Sequence, residues 1–174
     1  MQSEAYVQGD PTAPGLHDFA FDKLLREQPD YVVYNGSVGS LTDERAMQAT
    51  VGDRVRFFFG VGGPNLDSAF HTVGLAWDTV HPEGAAETLT NVQTTLVPPG
   101  GATMTELQVT VPGTYMLEDH HITRLEKGAF AHLRISGPDN LAEFEQNVHH
   151  ATPEGAPVAQ SPGPPFTITQ EPAP

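Results

Sequence analysis

Apolar residues come in short bursts along this chain, each closed by Gly, Pro, Asn or Asp. That rhythm predicts short strands joined by tight turns. The first burst is Tyr31-Val32-Val33-Tyr34, stopped by Asn35-Gly36. Further strands are predicted over Ala46–Thr50, Arg54–Gly60, Ser68–Trp77, Val92–Val97, Ala102–Val109, Gly113–Glu118 and Ala129–Ser136. Arg54–Phe59 begins as an alternating segment and ends as a fully apolar run, the pattern of a core strand. Ala102–Val109 alternates less cleanly. Short strands at even spacing describe an all-β, Greek-key sandwich over residues 31–137.

The flanks read differently. Residues 1–30 carry turn signals at Asp10-Pro11, Ala13-Pro14-Gly15 and Gln28-Pro29, as a connecting segment would. Within them, Phe19 to Glu27 has the spacing for about two helical turns, with Phe21, Leu24 and Leu25 on one face. Asp119 to Lys127 is polar enough for a loop or short helix, and Asn140–Val148 for another short helix. Residues 138–174 form a C-terminal extension. After Thr152 it is rich in Pro, Gly, Ala and Gln, which cannot bury enough surface to offset ordering entropy. The tail is expected to be disordered, a linker, or an arm ordered by a partner.

Composition sharpens this picture. The 174 residues suit one domain with extensions, and 17 Gly with 16 Pro favour frequent turns. A net charge of −14 argues against nucleic acid, because little here could neutralise a phosphate backbone. No run approaches the roughly 18 apolar residues of a membrane helix. Met1-Gln2-Ser3-Glu4 lacks the basic region and apolar core of a signal peptide. The chain has no cysteine, which removes disulfides, thiolate metal sites and any blue-copper centre that needs a Cys ligand.

Candidate chemistry rests on histidines. His71, in Ser68-Ala69-Phe70-His71-Thr72-Val73-Gly74, sits among apolar neighbours and reads either as a hydrogen-bonded core residue or as a proton-exchanging group. His120 and His121 follow Pro112-Gly113-Thr114-Tyr115-Met116-Leu117-Glu118-Asp119. In an extended segment they face opposite sides, so one of them, not both, could serve a metal. A single imidazole is not a stable metal site without further donors. His149-His150 lies at the edge of the tail and reads as exposed.

The Pro112-Gly113-Thr114-Tyr115 turn resembles the cupredoxin turn that leads to a copper-binding Cys, and aligning on it puts Asp119 where that thiolate would stand. More widely, Val33–Thr42, Val61-Gly62-Gly63-Pro64-Asn65-Leu66, Ser68–Gly74, Asn91–Pro98, Pro112–His120 and Lys127-Gly128-Ala129 resemble, in order, the second cupredoxin domain of copper-containing nitrite reductases.

That resemblance implies a division of labour. Such enzymes are homotrimers of two-cupredoxin subunits that reduce nitrite to nitric oxide. The first domain holds the type 1 copper and supplies two His ligands to the type 2 copper; the adjacent subunit's second domain supplies the third. By motif, that ligand is His120. His71 matches the proton-donating histidine, Thr94 and the Gln93 carbonyl match the groups that hold it, and Val73 matches the apolar residue beside the copper. The resemblance also implies an extracytoplasmic, periplasmic setting. The type 1 copper domain has no counterpart here, so the chain reads as a fragment or as one polypeptide of a split enzyme, inactive alone. His121 receives no role. The alternative is a redox-inert cupredoxin module for trimer assembly or partner docking. A multicopper oxidase fragment would need His-x-His pairs, and none occurs.

Overall fold

The computed structural model describes residues 1–144, which form two facing β-sheets. The strands are β1 (Gln2–Ala5), β2 (Tyr31–Tyr34), β3 (Met47–Thr50), β4 (Arg54–Gly63), β5 (Ser68–Thr72), β6 (Trp77–Pro82), β7 (Leu89–Val92), β8 (Thr94–Val97), β9 (Ala102–Gln108), β10 (Gly113–Asp119) and β11 (Phe130–Ser136). One sheet runs β2-β1-β4-β9-β6-β7 and the other β3-β11-β10-β5-β8. Two short helices, α1 (Phe21–Leu25) and α2 (Ile122–Leu125), lie in connections. This is the expected all-β sandwich of the cupredoxin type. Of the helix expected over Asn140–Val148, residues 141–143 form a turn. The rest of that segment past residue 144, His149-His150 and the tail lie outside the described residues.

Period-2 alternation builds the core. On β4, Phe57 and Phe59 point inward, while Phe58 between them is 76% exposed. The apolar run therefore keeps its alternation and is not buried on both faces, contrary to its core-strand appearance. Phe59 stacks on Phe70 with ring centroids 4.0 Å apart, and Phe70 stacks on Trp77 at 5.3 Å. Such stacks add to the burial of large apolar area. Strand β9 looks irregular in sequence because two of its inward residues, Thr103 and Thr105, are polar yet buried beside Leu107.

Two predicted strands are each broken in two. Ser68–Trp77 becomes β5 and β6, which belong to different sheets. The chain turns at Gly74, whose φ of +82° lies in the left-handed region that a side chain disfavours. Val92–Val97 likewise spans the step from β7 to β8, again across sheets, with Gln93 at the crossing. Periodicity cannot detect a sheet change, because both halves of the segment remain extended.

The N-terminal segment is the other difference. Gln2–Ala5 is a strand, antiparallel to β2 and parallel to β4, inside the six-stranded sheet. Polar Gln2 and Glu4 hide it, although Gln2 is only 1% exposed. Helix α1 is shorter than predicted, and Phe21 and Leu25 stay exposed.

Candidate functional site

Strand β5 lies between β10 and β8, which sets the site. Ser68, Phe70 and Thr72 face the core, so alternation turns His71 to the outer face. His71 is therefore no core histidine. Across the ladder it faces Glu118 on β10 and Thr94 on β8. Its Nδ1 lies 3.0 Å from the Gln93 carbonyl and 2.9 Å from Thr94 Oγ1. A carbonyl only accepts, so Nδ1 carries hydrogen and donates, leaving Nε2 for exchange. Gln93 can do this because it sits between strands β7 and β8.

His120 follows the end of β10. Its N–H donates to the Ala69 carbonyl at 2.9 Å, which latches it to the strand that carries His71. The two imidazole centroids stand 4.9 Å apart, with the His120 side chain 52% exposed. Four of the predicted site residues, His71, His120, Thr94 and Gln93, thus meet in one place. Val73 lies just past β5, 42% exposed, with its N–H donating to the Met116 carbonyl at 2.8 Å.

The end of β10 also explains why the paired histidines differ. Residues i and i+2 share a face, so Glu118 goes with His120 and Asp119 with His121. Asp119 is fully buried. Its Oδ1 accepts from Ala69 N at 3.1 Å, His121 N at 3.2 Å and His121 Nδ1 at 2.8 Å. Its Oδ2 accepts from Gln2 Nε2 at 3.0 Å and Arg124 Nη1 at 3.4 Å. Arg124 also binds the Asp67 carboxylate at 2.6 Å. His121 is thereby a structural partner of Asp119, turned away from His120. Burial, with the Asp119 charge adding to it, pushes the nearby Tyr34 phenol well above its usual pKa, so Tyr34 stays neutral.

Sequence alone assigns Glu118 no role. Its side chain is only 4% exposed, and Oε1 lies 3.8 Å from His120 Nε2. The signal that could have found it is the i, i+2 spacing to His120 in a strand.

No protein-family model matches the chain. A copper-containing nitrite reductase of Neisseria gonorrhoeae is 41% identical over 92% of this chain and 41% of its own length. The copper nitrite reductase of Nitrosomonas europaea superposes with a TM-score of 0.68 at 27% identity, over 80% of this chain and 48% of that one. This chain belongs to the copper-containing nitrite reductase family. A further member, from Thermus scotoductus, matches 80% of this chain and 30% of its own, with a TM-score of 0.69 and 27% identity. The chain thus spans less than half the length of these nitrite reductases.

The family implies copper, and an exposed imidazole is a donor type that suits it. The His120 ring is half-exposed and makes no hydrogen bond among the described residues. No three His, Cys, Asp or Glu side chains group to hold a metal ion among those residues, and a single imidazole is not a stable metal site by itself.

Proposed function

We propose that this chain is the second cupredoxin half of a nitrite reductase, contributing His120 to a type 2 copper and His71 as proton donor. The observation that carries this reading is the approach of the two imidazoles to 4.9 Å, from strands held side by side. The remaining copper ligands and the type 1 copper belong to a partner domain, and the assembly is a periplasmic homotrimer with the catalytic metal at a subunit interface. Family membership and the exposure of His120 support that arrangement.

Copper, when bound, supplies an electron and polarises the nitrite oxygens. Nitrite plus two protons and one electron gives nitric oxide and water. The chain's own share is proton handling. With Nδ1–H committed to Gln93 and Thr94, the ring is fixed and Nε2 takes and releases the mobile proton. Val73, exposed beyond β5, supplies apolar bulk that steers nitrite.

The test combines the full chain with a matching type 1 copper domain and copper, then follows nitrite-dependent nitric oxide release. His120→Ala is expected to abolish activity, and His71→Ala to lower it about 100-fold or more, the usual range for a lost general acid. Full activity in His120→Ala would overturn the ligand assignment.

A further inference from the structure

Protein interiors pack as densely as organic crystals and hold few voids larger than a water molecule. Between the two sheets lies an exception, a gap of about 120 Å³. Phe57 and Phe59 wall it from the six-stranded sheet, and Phe70, Leu117 and Ala131 from the five-stranded one. The residue order explains the room. Strand β11 turns Ala131, Leu133 and Ile135 inward. Two of the three fill the core, but at Ala131 the side chain ends at Cβ. Ala131 faces Leu117 across the ladder. Leu41 and Met47, both only partly buried, close the edge incompletely.

The wall offers water little. Among the described lining residues, only Tyr34 and Asn35 bear hydrogen-bonding side chains. The Tyr34 hydroxyl end lies by Asp119 and Ser68, neither of which lines the gap. Asn35 is exposed, and its Oδ1 accepts from the Met1 ammonium at 2.8 Å. Met1 and Phe58, also exposed, stand with it on the side that faces solvent. A buried water needs about two to four polar partners. An uncharged, polarisable guest instead regains the dispersion contacts that a void forfeits.

We propose that this gap binds one small uncharged apolar molecule, of the size of a xenon atom or a diatomic gas. An engineered apolar cavity of about 150 Å³ stays dry and takes up xenon or benzene. Neither His71 nor His120 lines the gap, so binding here is independent of copper.

The probe is xenon, dissolved under rising pressure with the full 174-residue chain and followed by methyl NMR. Saturable shifts should fall on the methyls of Leu41, Met47, Leu117 and Ala131. Exposed Leu89 and Leu96 should show only the linear drift of solvent contact. Ala131→Leu fills the gap and should weaken xenon binding at least about tenfold, with no fall in the denaturant midpoint. Ala131→Val, a smaller addition, should weaken it by less. Shifts that stay linear at the four lining methyls overturn the proposal. Saturable binding that persists unchanged in a folded variant overturns it too. Unchanged amide dispersion verifies that each variant is folded, and if neither folds, the titration of the unaltered chain decides alone.

Discussion

Two carboxylates stand next to each other at the end of β10 and live in opposite surroundings. Asp119 points toward Gln2, Ala69, His121 and Arg124, and every lone pair in reach has a donor. Glu118 lies on the other face, with its side chain 4% exposed and the His120 imidazole 3.8 Å away. The same strand thus presents a finished hydrogen-bond network on one face and a carboxylate outside any such network on the other. The difference separates a carboxylate that ties the fold together from one that does not. Each face carries one histidine, so the His120-His121 pair divides the same way.

The largest expected effect lies on the finished face. Asp119→Ala strands four partners, including the Arg124 guanidinium, and should cost about 3–5 kcal/mol of stability in denaturant unfolding. Asp119→Asn should recover only part of that. Its Oδ1 still accepts from Ala69 and His121, but the new amide nitrogen faces the Gln2 and Arg124 donors. Flipping the Gln2 amide would break its bond to the Asp67 carbonyl.

On the other face the effect should be far smaller. Glu118→Leu should change stability by less than about 1 kcal/mol, because the carboxylate it removes makes no hydrogen bond to the described residues. A loss comparable to that of Asp119→Ala would break the comparison outright.

Thr94→Val tests the outer face more gently. It removes one of two acceptors at His71 Nδ1 and leaves the Gln93 carbonyl. A cost of about 0.5–1.5 kcal/mol is expected, with broadened His71 ring signals in NMR reporting a looser imidazole.

A third carboxylate, Asp30, calibrates the pair. Burial pushes its carboxyl up, but hydrogen bonds from Lys23 and the Val7 N–H, with the Lys23 and Lys127 charges, outweigh this and leave its pKa lowered. A lowered folded pKa means the stabilisation is present above about pH 4 and fades as pH falls through the folded value. Asp30→Asn should therefore flatten the acid limb of the stability curve. Its effect at neutral pH should stay under about 1 kcal/mol, as for a partly exposed ion pair.

Much of this is legible from residue order alone. The strand bursts, the short helix after His121, and the meeting of His71, Thr94, Gln93 and His120 all follow from turn chemistry, alternation and family motifs. Three features are not. Strand β1 is hidden because its buried residue is glutamine, which signals burial only once its partner Asp119 is in place. The sheet changes at Gly74 and Gln93 leave no periodic trace, because extended chain continues on both sides. Glu118 looks like surface, because its ladder partners, His71 and Phe130, are revealed only by the strand pairing.

The crossing at Gln93 carries a practical corollary. Only its main-chain oxygen restrains His71, so side-chain scanning at position 93 should pass almost unnoticed. Removing or inserting a single residue between β7 and β8 should instead release the imidazole, even though no named site residue is altered. Spacing, here, is the heritable trait.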